Sequence, residues 1–123
     1  MTFLFKEETY KIIGVCMDVH RELGSGFLEA VYQEALEIEF QNQNIPFKRE
    51  RQLDIYYKGI VLKKKYYTDF FCYNKIVLEL KALCSLNTDH QSQLLNALKS
   101  TKSKVGLLVN FGESKLKYKR MVI

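Results

Sequence analysis

No run of about 18 apolar residues occurs in the chain, so no membrane-spanning helix is written in it. The first residues, Met1 to Glu8, turn acidic at Glu7 and lack the basic start and apolar stretch of a signal peptide; the expectation is an intracellular, cytoplasmic protein. Cysteine is scarce and odd in number. Cys16, Cys72 and Cys84 stand at spacings that match neither zinc nor redox motifs, which argues against a disulfide framework and for free, mostly buried thiols. Proline occurs once, at Pro46, and the only flexible-looking break is Gly24-Ser25-Gly26. With no repeat, linker or biased segment, residues 1–123 are expected to form one domain around one core.

What is present is a globular composition: 47% apolar, 13% aromatic and 27% charged residues, which excludes collagenous and wholly disordered chains. The net charge of +5 is unevenly spread, since residues 1–44 hold 3 basic and 8 acidic side chains while residues 45–123 hold 16 and 6. A basic body of this kind attracts polyanions and raises association rates with nucleic acid, although lysine-rich solvated faces are also common.

Hydrophobic spacing divides the chain further. Ile12, Val15, Cys16, Val19 and Leu23 recur at helical intervals, predicting a helix from about Glu7 to Leu23; Leu28, Val31, Tyr32, Ala35 and Leu36 predict a second, to about Gln43. Pro46 stops it. Residues 47–83 are rich in Ile, Val, Tyr and Phe, with turns at Lys58-Gly59 and Tyr73-Asn74-Lys75, so strands are predicted at about 47–57, 60–71 and 76–83. Thr88 and Gln91 fit a capping box ahead of Leu94, Leu95 and Leu98, giving a third helix from about Asp89 to Thr101. Two last strands follow near 104–111 and 118–123. The order ααβββαββ predicts an α/β fold, a mixed sheet flanked by helices.

Chemistry concentrates in the third predicted strand. In Val77-Leu78-Glu79-Leu80-Lys81, alternation puts Glu79 and Lys81 on one face and Leu78 and Leu80 on the other, and an antiparallel neighbour could bring Asp69 opposite the pair. Two carboxylates converging with a lysine make a hard-oxygen site of the kind magnesium prefers. The same pattern also suits an ordinary ion pair on a solvated sheet face, worth about 0.2–1 kcal/mol.

Asp69 followed by Glu79-Leu80-Lys81 resembles the D…(D/E)-x-K signature of the PD-(D/E)XK nuclease superfamily. Gly26-Phe27-Leu28-Glu29-Ala30-Val31-Tyr32 further resembles the G-x-x-E-x-x-Y element that names a family of small bacterial-type proteins within it, and Ala35-Leu36 and Ile45-Pro46-Phe47 fit as well. The resemblance runs from about Ile13 to Arg120. It implies a restriction-endonuclease-like sheet in which Asp69, Glu79 and the backbone carbonyl of Leu80 hold Mg2+ (or Mn2+), while Lys81 orients the attacking water. Glu29 would be the helical acid, in a first turn that favours negative charge, and Tyr32 and Gln33 would share its face. Gln93 resembles the downstream helical glutamine of exonuclease-like members, with His90 on the same face. Ala97 stands where those members carry tyrosine, and Tyr66-Tyr67-Thr68 precedes Asp69 without the superfamily's proline.

The function implied is magnesium-dependent hydrolysis of phosphodiester bonds in DNA or RNA; the alternative is a non-catalytic nucleic-acid-binding or protein-interaction module on the same fold. Lys48, Arg49, Arg51, Lys63, Lys64 and Lys65, interleaved with Tyr56, Tyr57, Tyr66 and Tyr67, are candidate contacts to a nucleic-acid backbone, together with Tyr32. Such contacts give affinity without sequence selectivity. The same basic residues would equally keep sheet edges from pairing. Related resolvase-type nucleases are often two-fold dimers, so a homodimer is compatible with one short chain carrying one site. No membrane partner is expected.

Overall fold

The computed structural model describes residues 3–123. Helix α1 (Lys6–Leu23) buries Ile12, Val15, Cys16 and Val19 along one stripe, carries Glu7 and Glu8 in its first turn, and ends where the Gly24 N–H returns to the His20 carbonyl at 2.8 Å. The break that follows needs Gly26, whose φ of 109° suits no L side chain. Helix α2 (Glu29–Asn42) buries Tyr32, Leu36 and Phe40, each one turn after the last. Its close is set by the Ile45 N–H bonding back to Phe40 O at 2.9 Å, just before Pro46.

Strands β1 (Phe47–Tyr57), β2 (Ile60–Cys72), β3 (Ile76–Lys81), β4 (Val105–Asn110) and β5 (Lys117–Val122) form one sheet in that spatial order, with helix α3 (Thr88–Thr101) crossing between β3 and β4. Only β3 and β4 run parallel. This is the mixed sheet of order ααβββαββ that the sequence predicts. The β1–β2 turn uses Lys58 and Gly59 at φ 50° and 80°, the left-handed pair that matches strand twist.

Each face of the sheet is covered. Helices α1 and α2 seal one side over Phe70, Leu78, Leu80, Leu107 and Val109; α3 covers the other over Val77 and Leu108 through Leu94 and Leu98. Gly106 sets the closeness of that second layer, because a Cβ there would meet Leu94 and Leu98 at 3.1 Å. Among the described residues no helix is long and apolar enough to cross a membrane.

Two boundaries differ from the sequence reading. β3 ends at Lys81 rather than 83, because Leu83 N–H and C=O turn to the side chain of buried Asn110 (2.9 and 3.0 Å) instead of to a strand. The α3 cap is Asn87, whose Oδ1 accepts from Asp89 N and His90 N, while His90 Nδ1 accepts from Asn87 N. The capping box is thus Asn87/His90, one residue upstream of Thr88/Gln91: the Asn87 backbone is already extended and its amide oxygen reaches the first turn.

Candidate active site

Strands β2 and β3 pair at Cys72↔Ile76, Phe71↔Val77 and Phe70↔Leu78, and the pairing stops there. Beyond it β2 stays with β1 while β3 stays with β4, so the sheet divides at Asp69 and Glu79. The backbone groups released by that parting are met by side chains. Thr68 Oγ1 donates to Phe70 O (2.8 Å) and Leu78 O (3.1 Å), and Leu80 N–H donates to Asp69 Oδ2 at 2.8 Å.

Alternation along β3 then does what the sequence requires. Leu78 and Leu80 are buried beneath α1 and α2, while Glu79 and Lys81 are half-buried on the α3 side. They open, with Tyr66, Tyr67, His90 and Gln93, into a cleft of about 180 Å3. A larger groove of about 420 Å3 lies between α1 and β5 around Tyr10, Met17 and Tyr118; it is apolar and contains no acid, so the smaller cleft is the candidate site.

Burial pushes the Glu79 carboxyl up to about 7; the hydrogen bond from Tyr66 opposes that rise, and the charge of Asp69, close enough to share a proton, adds to it. Tyr66 Oη donates to Glu79 Oε1 at 2.6 Å. Burial, and then the Glu79 charge, hold the Tyr66 hydroxyl well above its ordinary value, so it stays a donor. Among the described residues Lys81 forms no ion pair, so the ordinary surface pair that the sequence also allowed is not made. The donor set is two carboxylates, since no group of three or more His, Cys, Asp or Glu converges among the described residues. Two carboxylates leaving room for water and phosphate oxygens suit the coordination habit of Mg2+.

The other sequence candidates fall into distinct places. Glu29 is exposed at the first residue of α2 and, among the described residues, bonds to none of Asp69, Glu79 and Lys81. One turn on, Gln33 Nε2 reaches Asp69 O at 3.5 Å, so this helix does border the site. Gln93 lines the cleft; His90 does too, with Nδ1 committed to the cap. Lys48, Lys63 and Lys64 are exposed, whereas Lys65 is paired with Asp54 at 2.9 Å. Arg49 is held by Glu37 and Gln33 on α2, and among the described residues the buried Arg51 Nε has no hydrogen-bond partner.

Tyr32 requires a correction. It is fully buried, stacked on Phe111 at 4.6 Å, with its hydroxyl donating to Gly24 O at 2.6 Å and accepting from Phe27 N at 3.3 Å. The ring therefore ties the glycine break to the core and has no surface to offer a nucleic acid.

Sequence reasoning missed the bond from Tyr66 to Glu79. Period-two alternation puts residues 66 and 69 on opposite faces, so spacing alone does not bring Tyr66 to the cleft. It missed Asn110 as well, whose signal was weak: one polar residue closing the apolar run Val105–Val109.

A model of the PD-(D/E)XK nuclease superfamily matches residues 6–121. The chain belongs to that superfamily. Asp69, Glu79 and Lys81 lie within the matched span, on the two strands that part. The crystal structure of SSO0001 superposes with a TM-score of 0.58 at 23% identity, over 76% of this chain and 48% of that one; at this identity the likeness is one of fold. The chain thus spans about half the length of that solved structure. No curated protein sequence matches.

Proposed function

We propose that the chain is a magnesium-dependent (or manganese-dependent) nuclease that hydrolyses phosphodiester bonds in nucleic acid, DNA first, and that it falls in the G-x-x-E-x-x-Y family of its superfamily. The observation that carries this reading is the meeting of Asp69 and Glu79 where β2 leaves β3, with the Lys81 ammonium, in no ion pair among the described residues, next on the same strand face.

Asp69 Oδ1 and Glu79 Oε2 are the oxygens left for a cation, since Oδ2 and Oε1 are hydrogen-bonded within the protein. The Leu80 N–H points from β3 toward β2, and by strand geometry its carbonyl points to the same side, where it would complete the ligand set. A divalent ion bound there supplies Lewis acidity to a phosphate oxygen and acidity to a bound water. Lys81 offsets the charge that grows on the phosphate, and Gln93 orients substrate across the cleft. Glu29 serves as a remote acid beside Gln33. Lys48, Lys63 and Lys64 contact phosphates; Arg49, Arg51 and Lys65 act through the strands they brace. A cytoplasmic location, folding of residues 1–123 as one domain and a homodimeric state belong to the same proposal.

The test is cleavage of single-stranded, duplex and branched DNA and of RNA, with Mg2+ or with EDTA. The wild-type chain cuts only with the ion, and Asp69→Asn, Glu79→Gln and Lys81→Ala each lose about 10^2–10^3-fold in rate. Undiminished cutting by the variants removes the site assignment. Salt-sensitive binding without product under every condition turns the reading to a non-catalytic nucleic-acid-binding module.

A further inference from the structure

Asp69 and Glu79 each have one oxygen held by a close hydrogen bond. The backbone N–H of Leu80 takes Asp69 Oδ2 at 2.8 Å, and the hydroxyl of Tyr66 takes Glu79 Oε1 at 2.6 Å. The first grip comes from the main chain, so it does not depend on the Leu80 side chain; the second depends wholly on one phenol. Tyr66 is itself firmly seated. Its ring packs against the buried cluster of Val77, Leu94, Leu98 and Leu108 beneath α3, and the neighbouring Lys65–Asp54 ion pair at 2.9 Å joins its strand to β1. Tyr66 lies outside the superfamily's signature residues.

We infer that Tyr66 is the positioning residue that decides which divalent ion the site accepts, by fixing Glu79 so that a single carboxylate oxygen faces the ion. This rests on the reading of Asp69 and Glu79 as cation ligands. A carboxylate held at one oxygen has its last torsion set and offers one oxygen rather than two. Two acids so held present a sparse pair of oxygens, leaving the remaining positions to water and phosphate. That arrangement suits Mg2+, which needs near-octahedral geometry and keeps its waters; it disfavours Ca2+, which takes 6–8 oxygens and readily binds both oxygens of one carboxylate. Without the phenol, Glu79 can swing to offer both.

The experiment is calorimetric titration of the full chain with Mg2+ alone and with Ca2+ alone, for wild type, Tyr66→Phe and Glu79→Gln. Phenylalanine keeps the ring against the Val77, Leu94, Leu98 and Leu108 cluster, and a thermal melt of the ion-free variant checks the fold. The expected result is that Tyr66→Phe improves Ca2+ binding relative to Mg2+ by about tenfold, within the range that partners of metal ligands command. An unchanged ratio in Tyr66→Phe, with ion binding that Glu79→Gln abolishes, overturns the role of Tyr66 and leaves the site standing. Ion binding that Glu79→Gln does not alter, or no binding at all, removes both. Should Tyr66→Phe melt too early, the infrared carboxylate difference spectrum of wild type with Mg2+ decides: a one-oxygen shift supports the inference and a two-oxygen shift overturns it.

Discussion

The two faces of β3 share a backbone and differ in everything else. Leu78 and Leu80 close a core sealed by α1 and α2, whereas Glu79 and Lys81, the residues interleaved with them, open into a small cleft beside α3. The difference teaches that the site is an interruption of the sheet and not an addition to its surface. β2 abandons β3 after Phe70↔Leu78, and the side chains that meet the stranded backbone groups, Asp69 and Thr68, lie next to each other on β2. One face stabilises the fold; the other places a carboxylate where burial holds its proton near neutral pH.

Substitutions on the two faces separate these roles. Leu78→Ala, at a fully buried position, costs about 2–5 kcal/mol in urea unfolding. Lys81→Ala changes the same unfolding free energy by no more than about 0.5 kcal/mol while lowering the proposed cleavage about 10^2–10^3-fold. A Lys81 variant that unfolded as readily as the Leu78 one would break the contrast.

Asn110 joins the faces, since its side chain clamps Leu83 in the loop that follows Lys81 and also accepts from Gly112 N at 3.2 Å. Asn110→Ala leaves those half-buried groups unmet and costs about 1–3 kcal/mol, read by thermal and chemical melts. A loss confined to activity, with stability intact, would show the clamp to be dispensable for the fold.

The cleft face also has a pH signature. The ordinary value of the Glu79 carboxyl is 4.5 and its folded value about 7, so the folded protein holds that proton more tightly than the unfolded chain. The stability this contributes is complete below the ordinary value and is lost as pH rises through the folded one, on the order of 1–3 kcal/mol between pH 5 and 8 in the ion-free protein. Denaturant titrations at those two pH values check it, and Glu79→Gln flattens the dependence. A rise in stability over the same interval that vanished in the Gln variant would reverse the assignment.

A stabilising effect is expected at Glu50, inside β1 at φ 53°, between the pairs Arg49↔Phe70 and Arg51↔Thr68 and so across from Asp69. Left-handed backbone at a non-glycine residue is strained, and Glu50→Gly should stabilise by about 0.5–1 kcal/mol in the same melts.

Much of the apolar face was legible in the sequence, because helical spacing in α1 and α2 and the Val-Gly-Leu-Leu-Val run of β4 record burial directly. Glu79 and Lys81 were legible for the same reason: alternation separates them from Leu78 and Leu80. What alternation cannot express is where a strand leaves its neighbour. Tyr66 was invisible as a partner of Glu79, and the β3 end at Lys81 depends on Asn110, 27 positions from Leu83. Tyr32 misled for another reason. Its place in a motif suggested a cleft residue, while its hydroxyl bonds locally to Gly24 and its ring packs on Phe111, contacts that helical spacing alone also predicts for a core residue.

The most direct test is the anomalous difference map of a crystal soaked in Mn2+. The account predicts one strong peak in contact with both the Asp69 and Glu79 carboxylates on the α3 side of the sheet. A map with no peak between them, or with manganese held by other residues, would contradict it.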